Sequence, residues 1–155
     1  MTHVHTYESQ LSWRGATSVG YESYERTHHV VVPPAESELV LSSDPAFHGD
    51  ATLLNPEQLL LASASSCQLL GFLALAARSR IDVLAYHDAA DAVMPEEQTA
   101  MRITRITLKP HIVVDAGTDL DRVRRLVGRA HDGCFIANTL NAEIVIEPTI
   151  EQHAA

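Results

Sequence analysis

The sequence predicts an α+β protein in which a largely antiparallel sheet covers helices. Two observations lead to this class: the order of strand-rich and helical segments, and one unusually long apolar helix. The order is strands, the long helix, two more strands, a second helix and a last strand. Since 155 residues suffice for one ordinary core, we expect a single domain over 1–155.

The strand segments are rich in β-branched and aromatic residues and are bounded by Gly or Pro. A loop over 43–54 separates the first three strands from the helix, and a turn at Pro95 separates the next two. The apolar positions change phase between Ile103 and Ile106, which predicts a β-bulge there. The predicted strands cover residues 7–14, 21–32, 38–42, 81–94, 101–115 and 141–148.

The long helix is predicted to begin after Asn55 as N-cap, with Pro56 at its first position, and to continue to about Ser79. Its segment 59–77 carries no charged side chain, which meets the length criterion for a membrane span. Serines, a glutamine and a glycine dilute that segment, so we expect a helix buried inside protein. One sheet covers only one side of such a helix, and this favours dimerisation through it.

A second, amphipathic helix is predicted to start near Asp119. The arginines of this segment lie mostly away from its apolar face, which is typical of a helix with one solvated side. The predicted apolar face consists of Leu120, Val123, Leu126, Val127 and Ala130, and the arginines are Arg122, Arg124, Arg125 and Arg129.

The formal net charge of −9 argues against two kinds of partner. Nucleic acid and anionic membranes both require a basic surface to neutralise phosphate, so we expect neither. The N-terminal segment has no basic stretch followed by an apolar block, so we expect no signal peptide. Two cysteines are too few for a secreted disulfide scaffold, and we therefore expect a cytoplasmic protein.

The two cysteines are the first candidates for chemistry. Cys67 lies in the middle of the long helix, after a run of small residues that leaves room for another group. It is too deep in the helix for the helix dipole to stabilise its thiolate, so a reactive Cys67 needs a cation from elsewhere. Cys134 follows the second helix. From the residues alone, the pair is either a redox couple or two inert core thiols.

Arginines are the candidate cations, and Arg26 is one of them, since it precedes a strand and is positioned to reach a pocket. Its alternative is an ordinary solvated side chain. Glu57, in the first turn of the long helix, is a carboxylate that can hold an arginine, although the helix dipole alone accounts for its presence. The full set of candidates is Arg14, Arg26, Arg78, Arg102 and Arg105.

Nine histidines raise the question of a metal site. No two histidines have the i, i+4 spacing of a zinc protease helix, and no two cysteines are two residues apart. The serines before Cys67 lack the strand–turn–helix glycine setting of a hydrolase nucleophile. We therefore expect neither a metal, nor another cofactor, nor serine hydrolysis.

Two motifs resemble a known family. The segment 55–67, Asn-Pro-Glu-Gln-Leu-Leu-Leu-Ala-Ser-Ala-Ser-Ser-Cys, is similar to the helix signature of the OsmC/Ohr family of bacterial organic hydroperoxide reductases. The segment 131–138, His-Asp-Gly-Cys-Phe-Ile-Ala-Asn, is similar to that family's second cysteine segment. The order of the elements agrees over essentially the whole chain. Residues 13–54 depart from the Ohr pattern in length and glycine placement and look closer to OsmC or a third subgroup.

The resemblance implies an intertwined homodimer in which antiparallel sheets wrap two long central helices. It implies a thiol peroxidase without metal or haem, in which Cys67 attacks an organic hydroperoxide, Cys134 resolves the product and a lipoyl-type dithiol reduces the disulfide. It also implies a catalytic arginine held by a glutamate. Glu57 matches the glutamate by motif, and Arg26 is our choice for the arginine, with Arg14 in reserve.

Two other functions are compatible with the sequence. A non-enzymatic ligand-binding or stress protein of the same fold would carry inert cysteines, because a fold does not determine a function. A metal-binding stress protein would use histidines together with Cys67. Thiol titration separates the first from a peroxidase, and elemental analysis separates the second.

Overall fold

The computed structural model describes residues 3–97 and 100–154. The chain divides between Leu59 and Leu60 into two compact units. The helices and sheets of the two units confirm the predicted α+β class. The single domain over 1–155 stays a prediction.

The first unit contains one antiparallel sheet of three short strands in the order β1-β2-β3. The two predicted strands over 7–14 and 21–32 are much shorter in the structure. Between them the backbone carbonyls of Tyr21 and Tyr24 accept hydrogen bonds from the Arg26 side chain, so this stretch has a partner other than a neighbouring strand. The unit's elements are β1 (Gln10–Ser12), β2 (His28–Val31), β3 (Glu38–Leu41) and two 3-10 turns, Thr17–Val19 and Pro45–Phe47.

The predicted loop 43–54 is held by a close backbone approach at Gly49. A Cβ atom at this position would lie 1.7 Å from the Ser43 carbonyl oxygen, so only glycine fits. Asp44 accepts a hydrogen bond from the Ala46 amide at 2.8 Å and so begins the short turn inside the loop. The loop therefore leads the chain from β3 to the start of the long helix.

The long helix, α1 (Pro56–Arg78), confirms the prediction almost residue for residue. Its start is a reciprocal cap: the Gln58 amide donates to Asn55 Oδ1 at 2.8 Å, and the Asn55 amide donates to Gln58 Oε1 at 3.1 Å. This arrangement satisfies two amides that the first turn of a helix otherwise leaves free. The helix ends just before Arg80, whose backbone is left-handed at φ 56°.

Burial along α1 follows one narrow stripe. Ala64, Gln68, Phe72 and Ala76 are buried, one at every fourth position, which is the repeat of an α-helix. The remaining helix positions are half-buried or exposed. By length and composition α1 would also pass for a membrane span, with a mean hydropathy of 1.8 over 18 residues, of which 22% are buried. Core helices of soluble proteins meet the same criterion.

The second unit contains two further three-stranded sheets, in the orders β4-β7-β9 and β5-β6-β8. Antiparallel pairs join β4 to β7 and β5 to β6, whereas β8 and β9 join their sheets in parallel. The sheets are thus mixed, and parallel pairing was not predicted. The strands are β4 (Val83–Asp88), β5 (Asp91–Val93), β6 (Arg105–Leu108), β7 (Pro110–Val114), β8 (Glu143–Ile146) and β9 (Thr149–Gln152).

Three corrections follow from these strands. The predicted strands 81–94 and 101–115 are each two strands, and the last predicted strand, 141–148, is followed by β9, which was missed. The bulge predicted between Ile103 and Ile106 is wrong, because Ile103 precedes β6, and the irregular register lies between Val83 and Ala85.

The amphipathic helix α2 (Leu120–Asp132) confirms its predicted face. Val123, Leu126, Val127 and Ala130 are buried and Leu120 packs against them at the edge of the same core. Asp119 caps the helix by accepting hydrogen bonds from the Asp121 and Arg122 amides. A short helix that was not predicted, α3 (Phe135–Thr139), follows directly. This core, which includes Phe72 of α1, positions the segment that carries Cys134.

Candidate functional site

Both cysteines line one cavity of about 660 Å³ in the second unit. One wall is α1, and the other is formed by the end of α2 and the start of α3. The lining is mainly apolar, with Leu70, Leu75 and Ile136 among its members. The structure therefore brings together two thiols that lie 67 positions apart in the sequence.

The helical repeat explains how Cys67 reaches the cavity. Cys67 and Gly71 line it, and each directly precedes a residue of the buried stripe, Gln68 and Phe72. A step of one residue turns a helix by about 100°, so the stripe beside the buried one faces the cavity. Cys67 is half-buried as a result, whereas its neighbour Gln68 is buried in the core.

A buried hydrogen bond holds α1 against α2 next to the cavity. Gln68 Nε2 donates to the backbone carbonyl of Val127 at 3.0 Å. The helices also approach closely at Gly71, where a Cβ atom would lie 3.7 Å from the Ala130 Cβ atom. These two contacts place Cys67 opposite the segment that follows α2.

Cys134 is the more deeply buried thiol, with 4% of its surface exposed. It is the N-cap of α3, and its sulfur accepts a hydrogen bond from the Ala137 amide at 3.4 Å. Burial is the main reason that the pKa of Cys134 is raised, and the neighbouring thiol of Cys67 raises this pKa further. Both cysteines are free thiols.

Arg26 lies in the first unit, buried between two aromatic rings. Its guanidinium carbon is 4.0 Å from the centre of the Tyr24 ring and 5.1 Å from that of Tyr21. It donates to the carbonyl oxygens of the same two residues, at 2.8 Å and 2.5 Å respectively. The side chain also lines a cavity of about 370 Å³ within this unit. Arg26 is thus a buried cation and not a solvated one. Its role toward Cys67 stays a prediction.

Glu57 is half-buried in the first turn of α1, as predicted. Among the described residues it forms no ion pair, so the structure does not pair it with Arg26. The guanidinium of Arg26 is directed to backbone carbonyls instead. The role of Glu57 as the holder of a catalytic arginine stays a prediction.

The other candidate cations have separate places. Arg102 donates to the Asn141 carbonyl at 2.8 Å, Arg105 pairs with Glu143 at 3.7 Å, and Arg14 is exposed in the first unit. Arg78, by contrast, lines the cavity of the two thiols.

Arg129 also lines this cavity, although its sequence pattern predicted only a place on the solvated side of a helix. Its position five residues before Cys134, next to the buried Ala130, is the signal that could have identified it.

In the described ranges 3–97 and 100–154, no three His, Cys, Asp or Glu side chains are grouped as metal ligands would be.

Comparison with known proteins assigns the fold. The family model of OsmC-like proteins matches residues 48–149. An OsmC-like protein of unknown function from Vibrio cholerae, VCA0330, is 26% identical, with a TM-score of 0.84 over 94% of this chain and 100% of that chain. A comparison with curated protein sequences finds no match.

Two further solved structures share the fold. An organic hydroperoxide resistance protein OsmC from Legionella pneumophila is 17% identical, with a TM-score of 0.72 over 97% of this chain and 99% of that one. An organic hydroperoxide resistance protein from Elizabethkingia anophelis is 17% identical, with a TM-score of 0.71 over 99% and 100%. The predicted fold family is thereby confirmed, and the dimeric arrangement stays a prediction.

The geometry predicts that the two thiols differ in reactivity toward an alkylating reagent. Near neutral pH Cys67 should be labelled faster, because Cys134 is buried and its raised pKa leaves less thiolate. As the pH rises, labelling of Cys134 should continue to accelerate beyond the pH at which the labelling rate of an ordinary thiol levels off. Peptide mapping by mass spectrometry at several pH values measures both rates. Equal rates at neutral pH would contradict this description of Cys134.

Proposed function

Because the chain belongs to the family of OsmC-like proteins, we propose that it is a thiol-dependent peroxidase that reduces organic hydroperoxides. The observation that carries this proposal is the pair of free thiols, Cys67 and Cys134, in one apolar cavity. The names of the two hydroperoxide resistance proteins from Legionella pneumophila and Elizabethkingia anophelis, which share the fold, support it. The apolar lining favours alkyl hydroperoxides over hydrogen peroxide.

The first step is oxidation of Cys67. Its thiolate attacks the distal oxygen of the hydroperoxide, and the O–O bond breaks. The departing alkoxide takes a proton and leaves as the alcohol, while Cys67 becomes a sulfenic acid. Cys67 suits this role because it is half-buried and lines the cavity, so a small molecule reaches its sulfur.

The second step is resolution by Cys134. Its sulfur attacks the Cys67 sulfenic acid, water leaves, and a disulfide joins the two residues. A raised pKa suits the resolving thiol, because a neutral Cys134 does not repel the thiolate that must form first at Cys67. An external dithiol then exchanges with the disulfide, becomes a disulfide itself and restores both thiols. A lipoyl-type dithiol is our proposal for this reductant, in the cytoplasm, as part of oxidative-stress defence.

Arg26 is proposed as the cation of the reaction, with Glu57 as the group that orients it. A guanidinium beside Cys67 would stabilise both the thiolate and the charge that develops on the peroxide oxygens. The stacking of Arg26 on two tyrosine rings supports this role, since a catalytic cation has to be held in one orientation. Arg14 is the reserve for the same position.

A non-enzymatic ligand-binding protein is the second candidate. The apolar cavity of about 660 Å³ favours it, because that volume suits a small-molecule ligand without any chemistry. The burial of Cys134 would then reflect packing alone. Consumption of hydroperoxides by the purified protein with a panel of dithiols decides between the two functions.

The first prediction of the peroxidase mechanism concerns Cys67→Ser. This variant should consume no hydroperoxide, since it lacks the attacking sulfur, and it should remain folded because serine is a close match in size. Ser66→Ala, which alters the preceding residue of the same cavity wall, is the matched control and should keep activity. Hydroperoxide turnover with a dithiol measures both, and activity in Cys67→Ser would refute the mechanism.

The second concerns Cys134→Ser. This variant should still reduce one equivalent of hydroperoxide but should fail to turn over, because its Cys67 sulfenic acid has no resolving thiol. In intact mass spectra the variant should gain about 16 mass units with one equivalent, whereas the wild type should lose about 2. A wild type that never forms the disulfide would make Cys134 a packing residue.

The third concerns Arg26→Ala, which should slow the oxidation of Cys67 by roughly a hundredfold or more. The effect follows from loss of the only cation that we assign to the thiolate. Arg14→Ala, an exposed position of the same unit, is the control. Stopped-flow oxidation rates measure both variants. Normal oxidation in Arg26→Ala together with slow oxidation in Arg14→Ala would move the role to Arg14.

The fourth concerns assembly. We propose a homodimer formed through α1, because only one stripe of this apolar helix is buried while Leu70 and Leu73 remain 63% and 37% exposed. Light scattering should give twice the mass of one chain at micromolar concentration. The dimer should dissociate only on unfolding, and a folded monomer at that concentration would contradict this assembly.

A further inference from the structure

Another cavity in the second unit, of about 360 Å³, lies where α2 passes the end of α1. Three arginines of α2 line it together with Ser79 and the buried Leu126, and we call it the arginine cavity. Within the described part of the chain, its lining contains no acidic residue. The whole chain has 11 Lys and Arg against 20 Asp and Glu, so this cavity is strongly positive for so acidic a protein. The three arginines are Arg122, Arg125 and Arg129.

The guanidinium groups of the arginine cavity have few partners among the described residues. Arg129 has neither a hydrogen-bond acceptor nor a carboxylate beside it. Arg125 lies 3.9 Å from Asp119, which is longer than a hydrogen bond, and the other oxygen of that carboxylate caps the start of α2. Arg122 donates to the Ser79 carbonyl at 2.9 Å. Since a guanidinium group has five N–H donors, the cavity offers many donors to an external acceptor.

The spacing of these arginines places like charges side by side. Arg122 and Arg125 are three positions apart and Arg125 and Arg129 are four apart, so successive side chains are neighbours on the surface of α2. Like charges at these spacings destabilise a helix, and an anion bound between them turns the repulsion into attraction. Arg124 shows the alternative, because it pairs with Asp121 at 2.8 Å and does not line the cavity.

The arginine cavity is separate from the thiol cavity and from the α1 face assigned to the dimer. Among the described residues, only Arg129 lines both cavities. The Ser79 amide donates to the Leu75 carbonyl, so Ser79 continues the helical path of α1. It follows Leu70 by nine positions, and a turn of about 100° per residue places it on the opposite side of that path. A ligand at Ser79 therefore requires neither the thiols nor the dimer.

The number of cations indicates the chemistry of the ligand. A phosphate group has three terminal oxygens that point in different directions, so guanidinium groups from different positions can pair with it at once. A carboxylate has two oxygens in one plane and fits a single guanidinium fork. The volume lies near the lower end of the range for small-molecule sites, and a single phosphate ion fills only part of it. Leu126 is the one apolar residue in the described lining, which leaves little surface for a large apolar group.

We propose that the arginine cavity binds a small soluble molecule with two or more linked phosphate groups. The phosphates lie between Arg125 and Arg129, and Arg122, fixed by its bond to the Ser79 carbonyl, closes the site from the end of α1. The net charge of −9 opposes the approach of a large polyanion such as a membrane or nucleic acid, whereas a small ligand meets mainly the local cations. This binding does not depend on the proposed peroxidase function.

Binding is tested with tripolyphosphate as the probe, in metal-free buffer at low salt. Isothermal titration calorimetry should show that the wild type binds tripolyphosphate more tightly than inorganic phosphate and more tightly than citrate, a tricarboxylate. The affinity should fall as NaCl is added, because salt screens exposed charges. Absence of tripolyphosphate binding at low salt would overturn the proposal, and equally tight binding of citrate would overturn the assignment to phosphate.

Two variants locate the site. Arg125→Ala and Arg129→Ala should each weaken tripolyphosphate binding about three- to fivefold, because exposed ion pairs contribute modestly. Arg124→Ala, whose side chain pairs with Asp121 outside the cavity lining, is the matched control and should bind as the wild type does. Thermal unfolding is the second measurement: tripolyphosphate should raise the Tm of the wild type and of Arg124→Ala more than that of the two cavity variants. Equal weakening in all three variants, or in none, would overturn the proposed site.

Discussion

The hydrogen bond from the Gln68 side chain to the Val127 carbonyl determines how the second unit is assembled. It joins the middle of α1 to the last turns of α2 inside the core. If it broke, neither the amide nor the carbonyl would gain a hydrogen bond to water in exchange. Rotation or sliding of α1 against α2 would break this hydrogen bond. The position of Cys67, the residue before Gln68, is therefore fixed relative to the segment that follows α2. The Gln68 Oε1 atom is buried with no partner among the described residues, at a cost of about 1–3 kcal/mol.

The passage of the chain from β6 to β7 in the second unit is a feature that sequence patterns do not predict. Burial alternates without interruption through Ile106, Leu108, Pro110, Ile112 and Val114, which is the pattern of one long strand. Nevertheless the chain passes from one sheet to the other at Lys109, whose amide donates to the Asp88 carboxylate at 2.7 Å. This side-chain acceptor replaces a strand partner, and periodicity carries no information about it. The two long helices α1 and α2 were predictable, because their caps and faces are local features.

The two cysteines of the candidate site were predictable from the sequence, whereas its arginines were predictable only in part. The two cysteines were identified from their segments, and their proximity came only with the packing of α1 against α2. Arg129 was missed because an arginine beside a buried helix face has the same pattern whether it meets solvent or a cavity. For Arg26 the sequence indicated a place before a strand, but not the two tyrosine rings and carbonyls that hold it. Those contacts depend on a turn of the backbone that no periodicity describes.

The N-cap of α3 is Cys134, whose sulfur accepts a backbone hydrogen bond, so the conformation at the start of this helix depends on the oxidation state of that sulfur. Thiols are weak hydrogen-bond acceptors, so the Ala137 amide is held at 3.4 Å by a contact that any change in sulfur chemistry alters. In the disulfide that we propose, the Cys134 sulfur would be bonded to Cys67 on α1, and the Ala137 amide would lose this acceptor. Phe135, 83% exposed, lies at the first position of that turn. The proposed disulfide would therefore alter the backbone beside an exposed aromatic side chain, and a reductase that contacts Phe135 would meet a different surface in each redox state.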